Sequence, residues 1–465
     1  MRGFAGRGRA RRSGIRRAAR TLTPRVGRQR KPVTDADVAI VGFGIIGAVL
    51  ARCLADRGAA VVVLDAGSPM TSRAGSHLRN LPISPADPGY LNDLVSVHLR
   101  RATVGSAPTS AMAAARTTNL LGGMGVLWNC VVPRLVTQER WPGIADGEWD
   151  RLHRRAEDLL RVAPSPTGQR QSSVISALGG AEPAPIAFDG LQWTGPAEIA
   201  PDVEVVPHRA VRKLIRRGDR VIAAETVDIA TSKPHTVTAD NFVIAAGGLR
   251  TPALLWTSGI GRGLPVGHYL TDHPLSYAQV MLDDFPAGDP DPVAIVPMSD
   301  DHPFHGVLLT DSHGSPLLEG IDERRVLSLY WYTATEQRRD NRLVFTEAPT
   351  DLFGLPRPTF EYTFTAHDEA KRADTLAAVT AAGKQIGAFV PTGKPRRLTA
   401  GNSMHVMGTT RIGTDGIDSV TDGYGLVWGM ENLYLGGTGL IPTATATNPT
   451  LAAAAIAVRT AEHLG

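Results

Sequence analysis

The stretch Asp37-Val-Ala-Ile-Val41-Gly42-Phe-Gly44-Ile-Ile-Gly47 decides the fold of this 465-residue chain. Its short, β-branched apolar run predicts a buried strand. The glycines permit a tight turn, a close approach of backbone to a pyrophosphate, and close packing of a helix over residues 45–57 that Gly58 would end. A second apolar run at 61–64 completes the order of elements in a dinucleotide-binding βαβ unit. An ordinary βαβ unit that binds nothing is the alternative.

Asp65 ends the second apolar run, where a carboxylate takes the hydroxyls of an adenosine ribose. A carboxylate there repels a 2′-phosphate, so the pattern disfavours NADP. We therefore expect the turn and the residues around this acid to hold a dinucleotide. The residues predicted to contact the cofactor here are Gly42, Gly44, Ile46, Gly47, Asp65 and Ala66.

Basic charge is concentrated at the start of the chain. Residues 1–34 hold 12 of the 49 Lys and Arg residues and none of the 45 Asp and Glu residues. This tail has no hydrophobic period and is predicted to be disordered. A solvated extension, or a start placed upstream of the natural one, is favoured over a segment that binds nucleic acid or an anionic membrane. Arg11-Arg12 and Arg16-Arg17 resemble a twin-arginine signal, but no apolar stretch follows, so we expect no signal peptide.

The apolar runs, cysteines and histidines of the chain predict a cytoplasmic protein without a metal site. The apolar run at 451–458 is too short to span a membrane. Cys53 and Cys130 have no metal-like spacing and suit a reducing compartment. The histidines at 302, 305 and 313 are close in sequence, but we predict a loop there and no metal site.

Two later segments repeat the pattern of the first turn, in which a predicted strand leads into glycines. The predicted buried strand Asn241-Phe-Val243-Ile leads into Ala245-Ala246-Gly247-Gly248, with a helix start at Thr251-Pro252. The predicted buried strand Asn432-Leu-Tyr-Leu leads into Gly436-Gly437-Thr438-Gly439. Both segments are therefore expected to return to the dinucleotide domain.

Two further segments could face a flat ring. Gly122-Gly123-Met124-Gly125-Val-Leu127-Trp128-Asn129 offers a backbone able to lie against such a ring, although it equally fits a glycine-rich turn. Asn448-Pro449-Thr450 predicts a helix start, with Asn as the cap and Pro at the first helical position. A helix N-terminus beside a ring that becomes anionic on reduction would stabilise that charge.

The order of elements predicts an α/β fold with two domains. The first is Rossmann-like, and the second is an α+β domain built on a mostly antiparallel sheet. Strands near 325–332 and 358–364 and a helix at 366–389 mark the second domain. The predicted boundaries are 1–34 for the basic tail; 35–135, 200–270 and 401–465 for the dinucleotide domain; and 136–199 and 271–400 for the substrate domain.

These segments together resemble the glucose-methanol-choline (GMC) oxidoreductases, flavoenzymes that oxidise alcohols. The resemblance covers nearly the whole chain beyond residue 35. The matching motifs are Gly42-x-Gly44-x-x-Gly47, Ala245-Ala246-Gly247-Gly248-x-x-Thr251-Pro252, Ser258-Gly259-Ile260-Gly261, Gly267 to Asp272-His273-Pro274, and the block from His405.

Within that group the chain is most similar to the pyranose oxidases, which oxidise a secondary ring hydroxyl of sugars. The most specific match is the block near the end of the sequence. The matching segments are Gly122-Gly123-Met124 to Trp128, His302-Pro303-Phe304-His305, Phe353-Gly354-x-Pro356-x-Pro358-Thr359-Phe360, His405-x-x-Gly408-Thr409-x-Arg411-x-Gly413, Leu435-Gly436-Gly437 to Ile441-Pro442-Thr443-Ala444, and Asn448-Pro449-Thr450.

The resemblance implies FAD as the cofactor and a GMC fold like that of p-hydroxybenzoate hydroxylase. It implies His405 as the catalytic base and Asn448 as its partner in holding the reacting hydroxyl. The further residues that it assigns to the cofactor are Gly122, Gly123, Met124, Leu127, Asn129, Val211, Ala246, Gly437, Asn448 and Thr450. The residues that it assigns to the substrate are His305, His313, Trp331, His405 and Asn448, with residues 302–316 as a mobile loop over the sugar.

The residues alone leave alternatives open. One histidine among thirteen is more often structural than catalytic, and Asn448 by itself fits a helix cap. Tyr330, Trp331 and Tyr332 are candidates to stack on a sugar, but alternate aromatic residues on a strand are more often core.

This chain departs from the fungal pyranose oxidases in three ways. Leu127 stands where they carry the histidine that tethers FAD, which implies a non-covalent flavin. Asn129 replaces a threonine near the reactive flavin nitrogen, so the electron acceptor stays open between oxygen and a quinone. The shorter chain favours a monomer or dimer over a tetramer.

The substrate also stays open at this stage. Similar untethered enzymes of actinobacteria oxidise plant glycosides at C-3, so the resemblance implies a small-molecule sugar or glycoside oxidised at C-3 or C-2, and no nucleic-acid or membrane partner. A dehydrogenase of a non-sugar alcohol and a redox-idle flavoprotein of the same fold are the alternatives.

Overall fold

The computed structural model describes residues 36–82, 97–102, 112–283, 286, 288–311, 318 and 320–465. The basic tail predicted at 1–34 and the candidate substrate residue His313 lie outside the described residues. Residues 34–465 cluster as one unit, so the boundaries expected between the two domains stay a prediction.

The strands, numbered in chain order, are β1 (Ala36–Val41), β2 (Val61–Leu64), β3 (Leu99–Arg101), β4 (Arg116–Thr118), β5 (Val162–Pro164), β6 (Glu182–Pro183), β7 (Pro185–Ala187), β8 (Glu204–Val206), β9 (Arg209–Arg217), β10 (Arg220–Asp228), β11 (Pro234–Val237), β12 (Ala239–Ile244), β13 (Leu275–Met281), β14 (Val293–Val296), β15 (His305–Leu309), β16 (Val326–Tyr332), β17 (Arg342–Val344), β18 (Thr359–Glu361), β19 (Ala388–Phe389), β20 (Arg396–Arg397) and β21 (Leu433–Leu435). The α-helices are α1 (Ile45–Ala55), α2 (Asp146–Leu160), α3 (Gln169–Leu178), α4 (Pro196–Ile199), α5 (Gly247–Thr257), α6 (Ala366–Ile386) and α7 (Thr450–Leu464). Short 3₁₀ helices span Leu78–Asn80, Gly123–Val126, Thr137–Glu139, Glu323–Arg325 and Thr438–Leu440.

A five-stranded parallel sheet runs in the order β21-β12-β1-β2-β8. In its centre, Ala39 lies opposite both Phe242 and Val62, and all three side chains are buried. Apolar runs of this kind form parallel strands because helices cover both faces of the sheet. Parallel strands end at the same edge, so the turns after β1, β12 and β21 meet there. The predicted Rossmann-like sheet is confirmed.

Helix α1 follows the first glycine turn. It begins at Ile45, as predicted, and ends at Ala55, two residues before the predicted end. Gly58 adopts the left-handed φ of +89° that the sequence predicted where the helix stops. Helix α7 packs against α1 and α2, and its many alanines allow this close approach.

An antiparallel sheet forms the second layer, in the order β19-β13-β16-β15-β14-β6, with β20 also paired to β13. Trp331 of β16 packs with Val280, Leu329 and Val379 into a core between this sheet and α6. Because side chains alternate across a strand, Tyr330 and Tyr332 lie on the opposite face of β16. The expected second domain with a mostly antiparallel sheet is confirmed.

Local differences from the predictions have simple causes. Strand β16 starts one residue later than predicted, β18 covers three of the residues at 358–364, and α6 ends at Ile386 rather than 389. The loop predicted at 302–316 is wrong for His305–Leu309, which form the buried central strand β15. Its apolar residues pair with both β14 and β16, which satisfies the backbone on each side. No helix within the described ranges is long and apolar enough to cross a membrane.

Candidate active site

A cavity of about 550 Å³ lies where the two sheets approach each other. One wall is formed by residues that follow β1, β2, β12 and β21, and the other by residues of β13, β15 and β16. This volume falls within the roughly 300–1,000 Å³ that is usual for small-molecule and cofactor sites. The cavity therefore joins the predicted dinucleotide turn to the predicted substrate sheet.

The glycine turn after β1 has the geometry that the motif predicted. Gly42 has a φ of +101°, and a Cβ on Gly47 would lie 1.9 Å from the Gly42 carbonyl oxygen. Helix α1 can therefore start directly against the turn. Its N-cap position, Gly44, supplies no capping side chain and its first turn has no acid, so its N-terminus suits a phosphate.

Asp65 lines the cavity and also braces the turn. Its carboxylate accepts hydrogen bonds from the backbone N–H groups of Phe43 and Gly67, each at 2.7 Å. Burial raises the pKa of Asp65, and the N–H donors oppose that shift. The ribose contact expected from the sequence stays a prediction, whereas the bracing contact could not be predicted from the motif alone.

Most of the predicted cofactor residues come together in this cavity. Two do not line it: Gly47 packs beneath the first turn, and Gly122, with a φ of +96°, packs on the Val126 side chain. They act through the backbone shape that they permit. The predicted residues that line the cavity are Gly42, Gly44, Ile46, Asp65, Ala66, Gly123, Met124, Leu127, Asn129, Val211, Ala246, Gly437, Asn448 and Thr450.

The Gly-Gly-Met loop is held in place by hydrogen bonds around Trp128. The indole N–H donates to the Thr194 carbonyl oxygen at 2.9 Å, and the Trp128 carbonyl accepts from His77 Nε2 at 2.9 Å. The Asn129 side-chain oxygen accepts from the Val131 N–H at 3.1 Å. These contacts fix the loop while Leu127 and Asn129 face the cavity.

His405 lies on an irregular loop that a buried carboxylate holds. Asp272 accepts a hydrogen bond from the Gly401 N–H at 2.7 Å and another from the Ser403 hydroxyl. Burial raises the pKa of Asp272 to about 6, and these donors oppose that shift. The loop can therefore present His405 to the cavity in a defined position although it belongs to no helix or strand.

The His405 ring is buried and bonded to a second histidine. Its Nδ1 lies 2.5 Å from His273 Nε2, and His273 Nδ1 lies 3.2 Å from the Thr445 carbonyl oxygen. Burial lowers the pKa of His405 to about 4, so the ring is neutral at pH 7 and can accept a proton.

Asn448 precedes α7 but does not cap it. The N-cap position is Pro449, without a capping side chain, so the sequence alternative of a capping Asn448 is not realised. The Asn448 side chain is 2% exposed, and its Oδ1 has no hydrogen-bond partner. An unpaired buried amide oxygen that lines a cavity is suited to a polar group of a ligand.

A second buried acid fixes the loop before Asn448. The Glu139 carboxylate accepts from the N–H groups of Ala446 at 2.6 Å and Thr447 at 3.0 Å. The Glu139 backbone carbonyl also accepts from the Thr443 hydroxyl at 2.6 Å. Burial raises the pKa of the Glu139 carboxyl. Asp272 therefore fixes the loop that carries His405, and Glu139 fixes the loop that leads to Asn448.

Two predicted substrate residues need correction. Trp331 lies between Tyr330 and Tyr332 on β16, and side chains alternate across a strand. Because the two tyrosines line the cavity, the Trp331 side chain faces the core between the sheet and α6. His305 is buried behind Tyr332 rather than in the cavity wall, and its ring lies 6.4 Å from the tyrosine ring. The third, His313, lies outside the described residues.

The sequence names Tyr330 and Tyr332 as candidates to stack on a sugar, but sequence reasoning missed Asp311, which completes a polar cluster on the cavity wall. The Tyr330 hydroxyl donates to the Asp311 carboxylate at 2.5 Å, and both residues line the cavity with Tyr332. The signal that could have assigned the two tyrosines to the cavity is the period of two along β16, once the direction of the core is known. A carboxylate, a phenol and an aromatic face are groups that recognise hydroxylated ligands.

The site fits the flavin dinucleotide that the sequence resemblance implies. Gly42, Gly247 and Gly437, with φ values of +101°, +86° and +120°, bring backbone from three turns to one edge. A helix N-terminus without a cap and the unpaired Asn448 oxygen supply polar groups at the same cavity. No group of three or more metal-ligating side chains occurs in the part of the chain that the structure describes.

Known families and proteins match this chain over most of its length. Models of the GMC oxidoreductase family match residues 192–275 and 338–457, and a model of FAD-dependent oxidoreductases matches 37–166. The chain is 30% identical to a C-glycoside 3-oxidase of Microbacterium trichothecenolyticum, covering 92% of this chain and 96% of that protein. It is 26% identical to a pyranose 2-oxidase of Lyophyllum shimeji, covering 92% and 91%.

Solved structures share the fold at lower sequence identity. Pyridoxine 4-oxidase from Mesorbium loti superposes with a TM-score of 0.69 at 19% identity, covering 92% of this chain and 99% of that one. Formate oxidase of Aspergillus oryzae RIB40 superposes with a TM-score of 0.70 at 15% identity, covering 94% and 99%.

Proposed function

Because the chain belongs to the GMC oxidoreductase family, whose members are FAD-dependent, we propose that it oxidises a secondary ring hydroxyl of a pyranose sugar or glycoside. The names of its relatives support this substrate class: a C-glycoside 3-oxidase and a pyranose 2-oxidase each match more than nine-tenths of the chain. The observation that carries the proposal is that His405 and Asn448 line the same cavity as the dinucleotide turn after β1.

The proposed oxidation removes a hydride from the carbon and a proton from the hydroxyl that this carbon carries, and each has its own acceptor. A bound FAD supplies the hydride acceptor for the carbon that carries the hydroxyl. His405 accepts the hydroxyl proton, because an alcohol does not release it to water near neutral pH and the buried imidazole is neutral there. Asn448 carries no charge and orients the same hydroxyl through its amide. The product is a ketone.

Recognition of the sugar is assigned to the antiparallel sheet. Asp311 can accept hydrogen bonds from sugar hydroxyls, and Tyr330 is held by its bond to that acid. Tyr332 offers an aromatic face next to His405, with the two rings 6.2 Å apart. These three residues replace Trp331 and His305 as the candidate substrate contacts.

C-3 of a glycoside is slightly favoured over C-2 of a free sugar. The relative with the higher of the two identities is the C-glycoside 3-oxidase, and this chain departs from the fungal pattern at Leu127 and Asn129. An aerobic and anaerobic screen of free sugars against O- and C-glycosides, with the product carbonyl located by NMR, tests this preference. Turnover of choline, a sterol or an aryl alcohol, with none on sugars, would contradict the proposal.

The flavin is proposed to be held without a covalent bond. Leu127 has no nucleophilic atom. Cys53 and Cys130 are buried, burial raises the pKa of both thiols, and neither lines the cavity. Acid precipitation of the purified protein should leave a yellow supernatant, and colour retained in the pellet would contradict a non-covalent flavin.

The electron acceptor, assembly and compartment stay predictions. Oxygen and a quinone are both candidates, and Asn129 beside the cavity is the residue that separates this chain from the fungal oxidases. Hydrogen peroxide production during turnover would identify oxygen. A monomer or dimer is expected by light scattering, and the cysteine usage favours the cytoplasm.

A further inference from the structure

We propose that His273 is a positioning residue that fixes the protonation pattern of the catalytic His405. It holds neutral His405 with its proton on Nδ1, so that Nε2 carries the lone pair that accepts the substrate proton. This inference rests on the proposed function, because it concerns the base of that reaction. His273 is the middle residue of the Asp272-His273-Pro274 motif.

The positions of the protons on His273 and His405 follow from the contact between His273 and the Thr445 carbonyl group. The Thr445 carbonyl oxygen can only accept, so His273 Nδ1, at 3.2 Å, must be the donor. Neutral His273 then has an unprotonated Nε2, which can only accept. The contact of 2.5 Å between this Nε2 and His405 Nδ1 therefore requires a proton on His405 Nδ1. The lone pair of neutral His405 is left on Nε2.

Both rings are neutral at pH 7, as this assignment requires. Burial lowers the pKa of His273 well below its ordinary value and that of His405 to about 4. Two further groups beside the pair are also neutral at pH 7, because burial lowers the pKa of His305 to about 3 and raises that of the Tyr332 phenol. The Asp272 carboxylate is engaged by the 401–405 loop.

The same chain of contacts links the two candidate catalytic loops. Thr445, whose carbonyl binds His273, lies in the segment that Glu139 fixes and that leads into Asn448. His273 therefore spans from the Asn448 loop to the His405 ring. One histidine can set the orientation of the base relative to the amide that holds the reacting hydroxyl.

The arrangement also suits the charged state that forms during the reaction. When His405 Nε2 takes the substrate proton, its Nδ1–H remains bonded to the His273 lone pair. A hydrogen bond from a cationic ring to a neutral acceptor is stronger than one between neutral rings. His273 therefore stabilises the imidazolium without taking a proton itself.

The test compares two substitutions in the FAD-loaded enzyme. His273→Phe keeps a ring but removes the acceptor, and His273→Gln offers a side-chain oxygen that can accept. His153→Phe is the matched control, since His153 is also fully buried but stacks on Trp149 away from the cavity. The readouts are the limiting rate of anaerobic flavin reduction by a saturating glycoside, its pH dependence, and ¹⁵N NMR of the His405 ring.

We expect His273→Phe to slow the limiting reduction about 10 to 100-fold, by loss of one hydrogen bond to a charged group. The kinetic pKa of the base should fall, because the imidazolium loses its acceptor, and the apparent Kd of the glycoside should change little. His273→Gln should recover most of the rate and the pKa. His153→Phe should match the wild type. The NMR spectrum should show His405 protonated on Nδ1 in the wild type, with that preference lost in His273→Phe.

Two results would overturn the inference. One is a His405 ring protonated on Nε2 in the wild type, which NMR detects whether or not any variant folds. The other is a His273→Phe enzyme that is reduced at the wild-type rate with an unchanged pH profile. If no sugar or glycoside reduces even the wild type, the proposed function fails, and the NMR result still decides the protonation pattern.

Discussion

The two walls of the cavity are built by different means. On the parallel-sheet wall, backbone conformation shapes the cavity. Gly42, Gly247 and Gly437 adopt positive φ values that other residues resist, and helix α1 begins without a capping side chain. On the antiparallel-sheet wall, side chains shape the cavity, because Tyr330 and Tyr332 face it from their positions on one face of β16. A backbone requirement is visible in sequence as glycine, whereas the face of a strand is not.

The backbone wall should be the less tolerant of change. Gly47→Ala would set a methyl group 1.9 Å from the Gly42 carbonyl oxygen, so the helix must move from the turn. We expect loss of nearly all bound flavin, measured by the ratio of flavin to protein absorbance. The control is Gly147→Ala in α2, where a methyl group meets nothing within 4 Å. A Gly47→Ala enzyme with full flavin content would show that the turn does not bind the cofactor.

Changes to the two candidate catalytic side chains should lower the rate of flavin reduction rather than the binding of the flavin. His405→Ala should slow anaerobic flavin reduction by roughly 10² to 10⁴-fold, the usual contribution of a general base, while FAD stays bound. Asn448→Ala should slow it less and with a weaker pH dependence, since the amide cannot take a proton. Stopped-flow absorbance measures both. Reduction of His405→Ala at nearly the wild-type rate would assign the base to another residue.

Two neighbours on β16 test which face carries the substrate. Trp331→Phe should lower the free energy of unfolding by about 1–2 kcal/mol, because it leaves space in the core between the sheet and α6. Tyr330→Phe removes the hydroxyl bound to Asp311 and should raise the apparent Kd of the sugar several-fold, with little change in stability.

Chemical denaturation and reduction at increasing sugar concentration separate these effects. The reverse outcome, with the sugar affinity sensitive at Trp331 and not at Tyr330, would restore the original sequence prediction for Trp331.

Lowering the pH should reduce the free energy of unfolding through the buried histidines. Their folded pKa values are depressed, to about 3 for His305 and about 4 for His405, while an unfolded histidine titrates near 6.5. The stability that they contribute is therefore complete above about pH 6.5 and is lost as pH falls towards 4, because the unfolded chain binds protons that the folded chain does not. Asp272, with its pKa raised to about 6, acts in the opposite direction.

His305→Phe isolates one of these groups. It should reduce the slope of the unfolding free energy between pH 6 and 5 by at most about 1.36 kcal/mol per pH unit, the value for one proton. Urea titrations at several pH values measure the slope. An unchanged slope would mean that His305 is protonated in the folded protein, contrary to its burial behind Tyr332.

The sequence predicted the fold because its signals are local. The glycine turn, the apolar runs of β1, β2, β12 and β21, and the start of α1 each depend on neighbouring residues. The parallel sheet and the return of the later segments to its edge follow from these runs together with the rules for parallel strands.

The candidate site was predicted only in part because its remaining contacts are tertiary. His405 and Asn448 were found through the family resemblance, but Asp272 and Glu139, which fix their loops, are 129 and 307 residues away from groups that they bind. Trp331 is predicted to contact the substrate, yet its side chain packs in the core against α6, a contact that only the tertiary structure shows. His305 was assigned to a loop because the histidines and prolines near it hide the apolar strand.

The most direct test of the whole account is an anaerobic titration of the purified yellow protein with a panel of pyranoses and glycosides. At least one of them should bleach the flavin absorbance completely, with a ketone on the sugar ring as the product. A flavin that stays oxidised with every sugar and glycoside, but is bleached by a non-sugar alcohol, would contradict the proposed substrate. A flavin that no alcohol bleaches would contradict oxidation itself.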